Sequence, residues 1–123
     1  MADLVDMSAF ISRKVKGGVL SVVTLIEFSE WALKKYHELS RAGEKERALG
    51  YLRLIASLPS LLEGFEVLEM RKEDVLEFSY LVIEKKLDPA DAYLAITAKK
   101  RGLRIATRDR DFLRVEGIDV VDP

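Results

Sequence analysis

The stretch IATRDRDF, residues 105–112, ends an apolar run on two arginines and two aspartates. Three further acids occupy comparable places. Asp6 closes the apolar run LVD, Glu27 follows SVVT, and Asp91 lies just after Asp88 in DPAD. Carboxylates gathered without a counter-charge repel one another, and either protonation or a cation must relieve them. Magnesium and manganese prefer oxygen ligands and suit such a site. A carboxylate-held ion of this kind can activate water and neutralise charge on a phosphodiester under attack. The chain has no cysteine and a single histidine, His37, in a polar stretch, so a zinc site is not expected. If Asp6, Glu27, Asp91 and Asp109 meet, the expected chemistry is metal-dependent hydrolysis of a phosphate ester.

Whether they meet depends on the elements that carry them. ADLVD reads as a strand ending on Asp6, and MSAFISRKVK as a helix stopped at Gly17-Gly18. VLSVVT is rich in β-branched residues and reads as a second strand. Thr24 then caps LIEFSEWALKKYHEL, which places Glu27 in the first turn of that helix. A helix from about Glu44 to Leu58 is broken by Pro59, FEVLEM reads as a third strand, and RKEDVLEFSYLVIEKKL as a long helix. DPADAYLAITAKKRG carries strong start and stop signals: Asp88 as N-cap, Pro89 at the first helical position, Gly102 after the last turn. LRIAT and IDVVD complete the strands. Short apolar strands that alternate with helices predict a mainly parallel sheet of four or five strands covered on both faces, a three-layer α/β/α sandwich. Ligands bind such sheets at the carboxyl ends of the strands, and all four acids map to that rim.

Each acid also has a plainer reading. Asp6 can start a turn, Glu27 can belong to a solvated face with Glu30 and Glu38, and Asp91 can serve a capping box or the helix dipole. Asp109 and Asp111 can act in an Asx turn or as helix caps. Convergence of all four on one rim is what these separate readings do not predict.

Composition narrows the setting. The 123 residues suit one domain, 1–123, with 49% hydrophobic residues to build a core. A net charge of -1 names no partner, but charge is unevenly distributed. No acid lies between Asp6 and Glu27, where Arg13, Lys14 and Lys16 stand, and Thr97–Arg114 holds seven basic residues against two acids. Arg13, Lys14, Lys16, Arg108 and Arg110 are therefore candidates for holding the phosphates of a nucleic acid, against the plainer reading that they keep the surface soluble. The absence of cysteine excludes disulfides and fits a reducing, cytoplasmic setting. No apolar run approaches a membrane span, and Asp3 and Asp6 in the first strand argue against a signal peptide.

The order of motifs resembles the PIN-domain family and, within it, the small VapC-type toxin ribonucleases. LVDMSAFI is similar to the family's Asp at the end of strand one with Ser or Asn two residues later. SVVTLIEF resembles its Ser-x-x-Thr-x-x-Glu pattern. DPADAYLAITAKKRGLRIATRDRDF resembles its Asp at a helix start, alanine-rich helix, Gly, strand and Thr-x-Asp before an aromatic. The resemblance implies that Asp6, Glu27, Asp91 and Asp109 bind magnesium or manganese and carry catalysis. It implies that Ser8 and Thr107 orient carboxylates or waters, and that Asp111 replaces or supports Asp109. It further implies an RNA substrate cut by a metal-activated water, a homodimer, and an antitoxin that blocks the site. The apolar stretch RALGYLRLIASLPSLL is a candidate dimer face.

Two other classes stand beside this one. Met7, where Thr or Ser is common in the family, and the short stretch from Asp6 to Glu27 fit a non-catalytic PIN-like module that binds RNA or protein. An Asp-x-Asp phosphatase would need an acid at position 8, where Ser8 stands.

Overall fold

Five strands lie side by side and all run parallel: β1 (Asp3–Val5), β2 (Gly18–Ser21), β3 (Phe65–Leu68), β4 (Arg104–Ala106) and β5 (Val120–Val121). Their order is β3-β2-β1-β4-β5. The computed structural model describes residues 2–123. Among the described residues, six α-helices connect the strands: α1 (Met7–Ser12), α2 (Val22–Arg41), α3 (Lys45–Ala56), α4 (Leu58–Leu61), α5 (Val75–Lys85) and α6 (Pro89–Arg101). Among the described residues, no helix is long and apolar enough to cross a membrane.

The strands lack alternation because both faces are covered. Leu4, Val19 and Ile105 join one cluster with Leu81, Leu94 and Phe112, on the side of α5 and α6. Val5, Leu20 and Ala106 join the other with Ala9, Phe10 and Phe28, on the side of α1 and α2. This is the expected three-layer sandwich. Each fully buried Leu or Ile contributes about 1.5–3 kcal/mol. Helix α6 is buried without interruption from Ala92 to Ala98, and its small alanines permit that close approach to the sheet.

Several boundaries differ from the sequence expectation. α1 stops at Ser12, not at Gly17, because Arg13 adopts a left-handed conformation with φ 58°. β2 ends at Ser21, and Ser21 rather than Thr24 caps α2, its hydroxyl accepting from Val23 N at 3.1 Å. Thr24 is instead a buried helical residue, and Glu27 therefore lies in the second turn. Pro59 sits in the first turn of α4, where its missing N–H costs nothing. The long helix expected from Arg71 begins as a 3-10 turn, Lys72–Asp74, and becomes α-helical at Val75. The apolar stretch 47–62 is largely satisfied within the chain: Leu54, Leu58, Leu61 and Leu62 pack on the α1–α2 cluster. Leu49 of that stretch is exposed, and the most exposed apolar side chains include Leu76, Tyr80 and Ile83 of α5.

Candidate metal centre

The strand order reverses between β1 and β4: β2 and β3 extend the sheet on one side of β1, and β4 and β5 on the other. The connections from the two strands therefore part there and leave a crevice at their carboxyl ends. Asp6 follows β1, and Thr107 to Asp111 follow β4. The helices α2 and α6 present their N-terminal turns to the same rim, because each runs back against the strands it connects.

Register fixes the first contacts. Leu4 pairs with Ile105 and Val5 with Ala106, so Asp6 and Thr107 face each other at the next step. Asp6 is only 3% exposed, and its carboxylate is engaged on all sides. One oxygen accepts from Ser8 Oγ at 2.7 Å and from Ala9 N at 2.9 Å, and the other from Thr107 Oγ1. The turn-starting reading of Asp6 is thus correct as far as it goes, since Asp6 caps α1. Ser8 Oγ also accepts from Arg108 N at 2.9 Å, and Thr107 Oγ1 from Asp109 N at 2.9 Å. Asp109 in turn caps the 3-10 turn Arg110–Arg114 through Asp111 N at 2.9 Å. Phe112, fully buried in the core, anchors this turn. Ser8 and Thr107 therefore tie the loop after β4 to the end of β1.

One carboxylate oxygen from each of Asp91, Asp109 and Asp111 lies within 4.8 Å of the others. Oxygens around one octahedral magnesium ion stand about 2.9 Å apart when adjacent and about 4.2 Å apart when opposite, so the three are close enough to be drawn onto a common ion. Asp6 and Glu27 stand outside this trio but within electrostatic reach of it. Burial first, then the charges of Glu27, Asp109, Asp88 and Asp6, push the Asp91 carboxyl up to about 7. Burial, then Asp6, Asp88 and Glu30, push Glu27 up to about 7. Among the described residues, no cation pairs with Asp6, Glu27, Asp91 or Asp109. Asp111 alone has a partner, Arg114 Nη2 at 2.7 Å. Arg114 is itself fixed, its Nη1 donating to the Lys85 carbonyl at 3.0 Å.

Such a site suits a hard cation with oxygen ligands, and Asp91, Asp109 and Asp111 are the residues best placed to hold it. His37 lies exposed on α2 with its ring 5.2 Å from that of Tyr36, and takes no part. Two charges escaped the sequence reading. Asp88 stands at the N-cap of α6 as expected, but its side chain makes no capping hydrogen bond and acts on Glu27 and Asp91 as a charge. Arg114 holds Asp111 across an i,i+3 spacing that is visible in the sequence. The basic candidates divide between two places. Arg13 and Lys16 line a cleft with Phe10, Phe28 and Phe65, whereas Lys14, Arg108 and Arg110 line a recess beside Thr107 and Asp109.

A parallel 3-2-1-4-5 sheet with a carboxylate rim at its switch point is the frame on which known proteins can be compared. The chain belongs to the PIN domain family, whose model matches residues 6–118. Its fold is shared by VapBC toxin–antitoxin proteins and their relatives. PAE2754 from Pyrobaculum aerophilum superposes with a TM-score of 0.72 at 23% identity, over 98% of this chain and 90% of that one. VapBC from Salmonella typhimurium, solved bound to DNA, gives 0.68 at 22% identity, over 99% and 98%. VapC20 from Mycobacterium tuberculosis, a toxin that cleaves the sarcin-ricin loop, gives 0.60 at 16% identity, over 99% and 100%. A separate comparison with curated proteins finds no match.

Proposed function

We propose that this chain is a divalent-metal-dependent endoribonuclease, the toxin of a toxin–antitoxin pair. Asp91, Asp109 and Asp111 would hold magnesium or manganese, with Asp6 and Glu27 completing the acidic set. The observation that carries the reading is the convergence of these acids from four separate segments, with the carboxyls of Glu27 and Asp91 raised to about 7 and no ion pair to either among the described residues. Bound there, the ion would supply a nucleophile from water and offset charge on the phosphodiester. The chain's own groups do the rest. Thr107 and Ser8 hold Asp6 and the β4 loop in place, and nearby arginines and lysines position RNA. Membership of the PIN domain family and the likeness to a sarcin-ricin loop cleaving toxin support RNA as substrate. The likeness to VapBC complexes supports an antitoxin partner, and the exposed Leu76, Tyr80 and Ile83 of α5 support a homodimer.

The test is cleavage of a labelled, structured RNA with magnesium, manganese or EDTA, beside Asp91→Asn. Cleavage that needs metal and disappears in the variant is expected. Cleavage by Asp91→Asn at the wild-type rate would remove the assignment. A second reading, a binding module without catalysis, draws on the full engagement of the Asp6 carboxylate by its neighbours. Retained RNA binding with no cleavage under any metal would favour it.

A further inference from the structure

At the rim, Arg114 is already committed, paired with Asp111 at 2.7 Å. Three cations nearby are not. Lys14, Arg108 and Arg110 are exposed, make no ion pair among the described residues, and line one recess of about 390 Å³. They come from distant parts of the chain: Lys14 from the connection between α1 and β2, the arginines from the loop after β4.

We propose that Lys14, Arg108 and Arg110 form a subsite for the backbone phosphate next to the one that is cut. The proposal rests on the nuclease reading above. Its location follows from connectivity. Arg108 and Arg110 flank Asp109 in sequence, and Asp109 belongs to the acidic trio, so the recess begins where that trio ends. The loop is preset, because Arg108 N donates to Ser8 Oγ and Asp111 N to the Asp109 carboxylate. Arg108 and Arg110, carried on that fixed loop, lose less freedom when an anion arrives than residues of a mobile one would. Asp109 and Asp122 also line the recess, yet neither comes within ion-pair distance of the three, so the cations remain available. Arg13 and Lys16 are excluded from this role. They border a different cleft, walled by Phe10, Phe28 and Phe65. A subsite of this kind requires a substrate with at least two consecutive phosphodiesters, which suits an enzyme that cuts within a strand rather than one that removes a terminal phosphate.

The test is binding of a fluorescein-labelled single-stranded RNA dodecamer in EDTA, by fluorescence anisotropy, across about 50 to 200 mM potassium chloride. The variant Lys14→Gln/Arg108→Gln/Arg110→Gln is compared with a charge-matched control, Lys34→Gln/Lys45→Gln/Lys99→Gln, at exposed lysines that are likewise unpaired and lie away from the recess. Thermal melts verify that both fold. For single strands the slope of log K against log salt changes by about 0.7 for each phosphate contact. The recess variant should lose about 0.7 from the slope, the share of one phosphate, and at least ten-fold in affinity at the lower salt, while the control stays near wild type. A recess variant with the wild-type slope, an equal loss in the control, or no RNA binding by the wild type would overturn the subsite. Loss confined to the recess variant, together with no metal-dependent cleavage by the wild type, would uphold the subsite and overturn the nuclease reading.

Discussion

Replacing Asp91 by Asn should stabilise the metal-free protein at alkaline pH while destroying its metal site. Asp91 has its carboxyl raised from 3.8 to about 7, with burial as the first cause and surrounding acids as the second. The folded state therefore keeps a proton that the unfolded state releases between about pH 4 and 7. Stability contributed by the neutral carboxyl is present below the unfolded pKa and is lost as pH rises through about 7. At about 1.4 kcal/mol per unit, the full shift corresponds to roughly 4 kcal/mol. Partial solvent screening and sharing of the repulsion with Glu27 reduce this to about 1–2 kcal/mol at pH near 8. Asn matches the neutral acid in shape and carries none of that cost. The variant should melt about 3–8 °C above wild type at pH near 8 in EDTA, and at the same temperature at pH near 4. Saturating magnesium, at about a hundred times its Kd, should add about 2.7 kcal/mol to the wild type and nothing comparable to the variant. Calorimetry at three pH values, with and without magnesium, reads all of this. A variant less stable than wild type at pH near 8, or equally stabilised at both extremes, would refute the account of Asp91 as an unrelieved charge.

Asp6→Asn should act in the opposite direction. Its carboxylate accepts from Ser8, Ala9 and Thr107, and an amide nitrogen facing any of these donors forfeits a bond, so urea unfolding should show a loss of about 1–3 kcal/mol. Arg114→Ala frees Asp111 from its guanidinium and should weaken manganese binding about ten-fold or more by titration calorimetry, with partial recovery in Arg114→Lys. Unchanged affinity would make the ion pair irrelevant to the metal. Gly64→Ala places a Cβ against the Lys16 backbone carbonyl where β2 and β3 begin, and should cost about 1–3 kcal/mol in thermal or urea unfolding without altering metal affinity.

The fold was legible because both its signals are local. Buried parallel strands are short apolar runs, and α6 announces itself with Pro89 and Gly102 at its ends. What was illegible depended on neighbours far along the chain. Nothing near Thr24 reveals that Ser21 is already positioned to cap α2, because that follows from where β2 stops pairing with β3, at Ser21 against Leu68. The apolar stretch 47–62 read equally as a buried helix or a dimer face, because the partners that decide it, among them Phe10 and Phe28, come from α1 and α2. The acids were identifiable by their places at element ends. Asp111 was read as replacing or supporting Asp109, and it stands beside Asp91 and Asp109 because a 3-10 turn follows β4; the hydrogen bonds that engage Asp6 depend on the distant Thr107 and could not be read locally.

One pairing explains why the rim assembles at all. β1 and β4 are adjacent in the sheet yet separated by nearly the whole chain, and their register is held at both ends by side chains. At the amino end Asp3 meets Arg104 in an ion pair, and at the carboxyl end Asp6 meets Thr107. A shift of one residue would break both contacts and turn Leu4 and Ile105 toward the wrong layer. The same register sets how far the chain after β4 extends beyond β1, and so where Asp109 and Asp111 stand relative to Asp91 on α6. Asp6 thus has a structural task that Asp91 does not. That division accounts for the opposite stability changes expected for the two substitutions, although both remove a carboxylate from one rim.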